Sequence, residues 1–128
     1  MVAWSDYKSD AKRRGALALE LYVAQSTPAK APEDVKAALH DHLAYQAKLE
    51  AAGQLALAGP MSDDTGEHMQ GFGLIIYRAD SLEAARALAE NDPMHQCGAR
   101  SFTLRRWMIN EGSLTLSVGL STQTVSLT

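Results

Sequence analysis

Cysteine is nearly absent from this chain, since Cys97 is the only one in 128 residues. A single cysteine excludes an intrachain disulfide and a cysteine-based zinc site. No apolar run approaches the roughly 20 residues that a membrane-spanning helix needs. The N-terminal residues include Asp6 and Asp10 and are not typical of a signal peptide. We therefore expect a cytoplasmic protein without membrane contact.

A strong charge of either sign is also missing. The formal net charge is −3, which gives no nucleic-acid signature. The chain contains no phosphate-binding loop, no dinucleotide fingerprint and no His/Cys set with metal-ligand spacing. We expect neither cofactor nor metal. The length predicts one domain, residues 1–128, and the hydrophobic content of 46% is ordinary for a soluble globular protein.

The periodicity of apolar residues predicts the element order β-α-β-β-α-β. Strands are predicted at 16–25, 55–58, 71–78 and 101–110, with Gly59-Pro60 making a tight turn after the second. One helix begins at Pro32 and runs towards Gly53; the other is capped by Ser81 and stopped by Pro93. This order favours an α+β, ferredoxin-like fold with an antiparallel sheet and two helices on one face.

One stripe of the first predicted helix faces inwards. Its members recur at steps of three and four residues: Val35, Leu39, His42, Leu43, Gln46 and Leu49. This spacing places an imidazole among apolar side chains.

Segments outside this core, which spans about 16–110, carry their own patterns. Residues 2–12 predict a short N-terminal helix. Residues 113–127 alternate apolar and polar side chains and predict one or more extra C-terminal strands, which would join the sheet or a partner subunit. Strands one and three are apolar on both faces, so the helix-free sheet face needs a cover. We expect a homodimer through that face.

Several short motifs in this order resemble the YCII-related family, within the dimeric α-β barrel superfamily. They are His42-Leu43, Gly53-Gln54-Leu55, Ala58-Gly59-Pro60, Gly71, Ser81-Leu82-Glu83-Ala84-Ala85, Asp92-Pro93 and Gly98. The resemblance implies a ferredoxin-like fold, a dimer that closes two sheets against each other, and a cleft that holds the family's His and Asp. Those two residues correspond to His42 and Asp92.

The family suggests more than one kind of function. Some relatives are similar to a dehydrochlorinase of chlorinated hydroquinones, whereas other members are fused to or associated with regulatory proteins. Members often have an arginine one helical turn before the histidine, where this chain has Leu39. If that arginine binds an anionic substrate in relatives, the substrate here differs.

The candidate catalytic residues are His42 and Asp92. A histidine paired with a carboxylate acts as a general base, because the carboxylate fixes the tautomer and stabilises the imidazolium. Tyr45, Pro60 and His95 are candidates for substrate binding at the border of the same cleft. The structural alternative is that His42 is a satisfied core histidine and Asp92 caps the turn at Pro93.

Two functions stay open at this point, beside a third interpretation as a dimeric scaffold with no small-molecule site. The first is a cofactor-independent lyase, isomerase or hydrolase that uses the His/Asp pair for acid–base chemistry on a small organic molecule. The second is a non-catalytic dimeric ligand-binding or accessory module that uses the same cleft. A hydrogen-bonded pair that faces an open apolar pocket would favour the enzyme.

Overall fold

The computed structural model describes residues 1–127 and has four helices and six strands. The helices are Trp4–Arg13 (α1), Pro32–Ala51 (α2), Leu82–Glu90 (α3) and Pro93–Gln96 (α4). The strands are Leu19–Pro28 (β1), Leu55–Ser62 (β2), Met69–Tyr77 (β3), Arg100–Ile109 (β4), Leu116–Gly119 (β5) and Thr124–Leu127 (β6). No helix in this range is long and apolar enough to cross a membrane.

The first four strands form one sheet in the order β2-β3-β1-β4. β3 pairs antiparallel with both β1 and β2, and its Ile75 lies opposite Ala24 on one side and Ala58 on the other. With α2 and α3 as the crossovers, this order is that of a ferredoxin-like fold. The predicted α+β class and antiparallel sheet are confirmed.

The hydrophobic core lies between one face of this sheet and the helices α2 and α3. Its buried members are Tyr22, Ala24, Leu49, Ile75, Tyr77, Ala85 and Ala89. Side chains of a strand alternate between faces, so Ile76 points to the opposite side from Ile75 and Tyr77. Both helices therefore cover the same face, as the element order predicted.

Gly59 and Pro60 do not make the predicted turn. Both lie inside β2, where Gly59 is opposite Leu74 and Pro60 is opposite Gly73. β2 is an edge strand, and an edge strand tolerates a proline because the missing N–H would have pointed away from the sheet. The register shifts immediately after Pro60.

The C-terminal residues do not extend the main sheet of their own chain. β5 and β6 pair with each other in a separate two-stranded sheet, with Leu116 opposite Leu127 and Val118 opposite Val125. These four side chains share one face and are exposed. The predicted contact with a partner subunit stays a prediction.

The contacts divide the chain into two compact units. One contains Met1–Leu19 together with the chain from Met108 onward, and the other contains Glu20–Trp107. In the first unit, α1 buries Ala11, and the backbone N–H of Leu17 donates to the carbonyl of Asn110. The helix-covered part of the sheet and all candidate site residues belong to the second unit.

Candidate functional site

His42 and Asp92 form a direct hydrogen bond. Nδ1 of the imidazole lies 2.9 Å from Oδ1 and 2.8 Å from Oδ2 of the carboxylate. The side chain of Asp92 is 1% exposed and that of His42 is 14% exposed. The carboxylate is thus buried, and the imidazole separates it from the more open side.

Local sequence explains why Asp92 is held so firmly. α3 ends at Glu90, and Asp92 is the N-cap of the next short helix, not the last residue of α3. Its Oδ1 accepts the backbone N–H of Met94 at 3.0 Å. Aspartate followed by proline is a favourable pair for a helix start, because the carboxylate accepts a free N–H and the proline fits the first helical turn.

The contact to Asp92 determines which nitrogen of His42 is available. An ionised carboxylate only accepts hydrogen bonds, so Nδ1 must carry the proton that it donates. In the neutral imidazole the lone pair then lies on Nε2, which has no hydrogen-bond partner among the described residues. This is the tautomer that a general base needs.

A cavity of about 470 Å³ opens beside His42, between α2 and the sheet. Apolar side chains and three glycines form most of its wall: Val35, Leu39, Leu43, Ala58, Gly59, Pro60, Met69, Gly71, Phe72, Gly73, Leu74, Ile75 and Met94. The polar members are Ser26, His42, Gln46 and Arg100. Such a chamber has the size and mixed lining of a small-molecule site.

The inward stripe of α2 therefore divides into two parts. Leu49 is buried in the core, whereas Leu39 and Leu43 line the cavity and stay 43% and 53% exposed. The sequence pattern indicated an apolar face, and that face partly borders an open space.

A polar network lies next to the pair. Nε–H of Arg100 donates to Oγ of Ser26 at 2.9 Å, and the same Oγ lies 2.9 Å from Nε2 of His95. The Nδ1–H of His95 donates to the carbonyl of Ala89 at 2.7 Å. With Nδ1 as donor, the neutral ring accepts the Ser26 hydroxyl at Nε2. Burial lowers the pKa of His95, which favours this neutral form.

The three predicted substrate-binding residues have different positions. Pro60 lines the cavity, whereas Tyr45 and His95 are not among its lining residues in the described chain. Tyr45 packs against the core and donates its hydroxyl to the carbonyl of Leu88 at 2.7 Å. Burial, together with the nearby charge of Asp92, raises the pKa of Tyr45. The polar atoms of Tyr45 and His95 contact backbone carbonyls and Ser26, and the role of these two residues in substrate binding stays a prediction.

Arg100 and Ser26 were missed at the sequence level. The predicted fourth strand began at residue 101, one residue short of Arg100, whereas β4 begins at Arg100. The alternation of Arg100, Phe102 and Leu104 would have placed the arginine on the core side of the strand. The predicted first strand ends at residue 25, whereas β1 continues to Pro28 and includes Ser26.

Metal ligands are not clustered in this site. Over residues 1–127, no group of three His, Cys, Asp or Glu side chains lies close enough to hold an ion together. His40 is exposed on α2 and is not part of the pair.

Residues 18–108 match the YCII-related domain. The chain belongs to the YCII-related family. A relative is the uncharacterized protein YjpA of Bacillus subtilis (strain 168), which is 31% identical over 70 residues, 55% of this chain and 75% of that protein. The family resemblance noted from the motifs is thereby confirmed.

A solved structure shares the fold. The 5-chloro-2-hydroxyhydroquinone dehydrochlorinase of Burkholderia phenoliruptrix AC1100, in complex with 2,5-dihydroxybenzoquinone, superposes with a TM-score of 0.50 at 23% identity. The similarity covers 68% of this chain and 92% of that chain. It is a likeness of fold.

Proposed function

We propose that this YCII-related protein is a small enzyme that uses His42 as a general base on a small, mainly apolar organic molecule bound in the cavity. The observation that carries the proposal is the hydrogen bond between Nδ1 of His42 and the buried carboxylate of Asp92, next to a cavity that His42 also lines. The reaction class is a lyase, isomerase or hydrolase reaction that begins with proton transfer.

The proton balance of this step is simple. Nε2 of His42 takes a proton from a C–H or O–H group of the substrate, and the bonding pair stays with the substrate. Asp92 remains ionised and stabilises the imidazolium through the Nδ1–H contact. The electron pair left on the substrate is then delocalised or expels a leaving group. The imidazolium gives its proton back to the substrate in an isomerisation, or to water in an elimination.

The solved dehydrochlorinase supports a first choice of compounds for testing. Elimination of hydrogen chloride from a chlorinated hydroxyhydroquinone requires loss of a proton and of chloride, with no net oxidation, which a base in an apolar pocket can promote. We therefore propose phenols, enols and hydroxyquinones as the substrate class, without assigning that enzyme's substrate to this chain.

Hydrogen–deuterium exchange tests the proposal without knowledge of the natural substrate. A panel of such compounds, including 5-chloro-2-hydroxyhydroquinone, is incubated with the protein in D₂O, and NMR follows deuterium incorporation and product formation. We expect catalysed exchange or elimination with at least one compound and its loss in His42→Asn. Ligands that bind in the cavity without any exchange, and with equal affinity for the variant, would contradict catalysis.

The second candidate is a ligand-binding or accessory module with the same cavity. It is favoured by the exposed Leu39 and Leu43 at the α2 side of the cavity, which a bound molecule would cover without chemistry. In that case His42 and Asp92 stabilise the wall of the cavity, and the exchange experiment gives binding alone.

We also propose that the protein is a homodimer through the sheet face away from α2 and α3 and acts in the cytoplasm. Leu57 and Trp107 on β2 and β4 are 59% and 44% exposed. Leu57 lies opposite Ile76, which places it on the face away from the core. Sedimentation equilibrium should give twice the chain mass, and a folded monomer at micromolar concentration would contradict the dimer.

A further inference from the structure

Arg100 is held in one orientation at the wall of the cavity. Its Nε–H donates to Oγ of Ser26, and Nη2 donates to the backbone carbonyl of Ser26 at 2.6 Å and to that of Gly71. Ser26 is itself buried. Three contacts on one edge of the guanidinium leave little rotational freedom, so the group is preorganised.

The other edge of the guanidinium donates no hydrogen bond within residues 1–127. Nη1, with two N–H donors, makes no hydrogen bond to any described residue, and no carboxylate of residues 1–127 lies within ion-pair distance of Arg100. Burial lowers the pKa of Arg100, an effect that the more distant charge of Asp92 opposes. The guanidinium stays charged in proteins.

A half-buried cation without a partner is costly, and proteins normally pair such a charge. The contacts to Ser26 and Gly71 are to neutral oxygens, so among the described residues only the more distant charge of Asp92 offsets the charge of Arg100. The surrounding wall is mainly apolar, so solvent screening is weaker there than at an open surface. An ionised oxygen of a bound molecule would compensate the charge and use the free Nη1 donors.

We infer that Arg100 binds an ionised oxygen of the cavity ligand, so that the ligand is a small organic anion with a mainly apolar body. This deepens the proposed function and rests on it, because His42 lines the same cavity. Arg100 orients the anion and stabilises the negative charge that spreads to its oxygen when His42 removes a proton. Carboxylates, phenolates and enolates belong to this class.

The test compares benzoate with benzyl alcohol, which have similar bodies and differ in charge. Methyl-¹³C methionine NMR provides the readout, because Met69 and Met94 line the cavity, whereas Met1, Met61 and Met108 do not. We expect benzoate to shift the two cavity methyl signals and to bind at least about tenfold more tightly than benzyl alcohol, as a charge-assisted contact predicts.

Arg100→Gln should remove this preference for the anion. Arg105→Gln is the matched control, because Arg105 lies on the same strand, is exposed and does not line the cavity. If Arg100→Gln does not fold, Arg100→Lys replaces it, and benzoate should then bind several-fold more weakly than to the wild type, since lysine lacks the planar fork.

His42→Asn separates this inference from the proposed function. Benzoate binding that persists in His42→Asn and is lost in Arg100→Gln supports the inference, even if no proton transfer is ever detected. Absence of cavity shifts with benzoate, equal affinity for the two probes, or a preference that disappears in His42→Asn and survives in Arg100→Gln would overturn it.

Discussion

Two substitutions of His42 separate its structural contribution from its chemical one. Among the described residues, His42→Ala leaves Asp92, which is 1% exposed, with only the N–H of Met94 as a hydrogen-bond donor. Loss of a hydrogen bond to a charged group costs about 1.5–3 kcal/mol. For a chain of this length that corresponds to a decrease in Tm of roughly 5–12 °C.

His42→Asn should cost about half of that or less. The amide nitrogen of asparagine occupies a place close to Nδ1 of histidine and can donate to Asp92, whereas nothing replaces Nε2. Both variants should lower proton-transfer activity by about 10²–10⁴-fold, the usual contribution of a general base. Thermal unfolding by circular dichroism and the exchange assay are run on the same samples.

The two readouts can each refute the reasoning. If His42→Ala is as stable as the wild type, the contact between His42 and Asp92 contributes nothing to folding. The free-energy cost of leaving the buried carboxylate with one donor is then smaller than expected. If His42→Asn retains activity, Nε2 is not the base. Equal losses of stability in both variants would mean that ring packing, and not the contact to Asp92, stabilises this region.

Three further predictions concern the surroundings of the site. The hydroxyl of Tyr77 is buried without a hydrogen-bond partner in the described chain, so Tyr77→Phe should keep or raise stability, whereas Tyr45→Phe should lose about 1 kcal/mol in chemical denaturation. Burial lowers the pKa of His95 in the folded protein. The stability that the neutral ring contributes is therefore complete above the pKa of the unfolded state, near 6.5, and decreases as the pH falls below that pKa. His95→Gln should flatten this part of the Tm–pH curve. Gly71 has a φ of +77°, and a β-carbon there would lie 2.8 Å from a proline ring carbon, so Gly71→Ala should lose about 1–3 kcal/mol, and unchanged stability would contradict this geometry.

The fold was largely predictable because helices and strands have different apolar periods. The stripe containing Val35, Leu39 and His42 indicated α2, and the apolar run before Tyr77 indicated β3. The prediction of a turn at Gly59-Pro60 was wrong, because a turn and an edge strand both accept this pair of residues. Which strand lies at the edge depends on the order of strands in the sheet.

The site was only partly predictable for a related reason. His42 and Asp92 are 50 residues apart, and their contact depends on how α2 and α4 pack. Asp92-Pro93 carries the local signature of a helix start, which would have indicated α4. Arg100 and Ser26 have no motif of their own, and only the position of β4 next to β1 brings them together.

The C-terminal residues illustrate the limit of strand alternation. The pattern identified β structure, and β5 and β6 form it. An alternating pattern does not indicate which strand or which subunit the segment pairs with. The exposed apolar face of this hairpin contains Leu116, Val118, Val125 and Leu127. Two isolated strands are marginally stable in water.

The tautomer of His42 is the most direct test of the proposed acid–base role. Long-range ¹H–¹⁵N NMR of the histidine rings distinguishes a protonated nitrogen from one with a free lone pair. At a pH where the ring is neutral, we expect the proton on Nδ1 and the lone pair on Nε2, with Asp92→Asn disturbing this state. A neutral His42 protonated on Nε2 in the wild-type protein would contradict its role as the base.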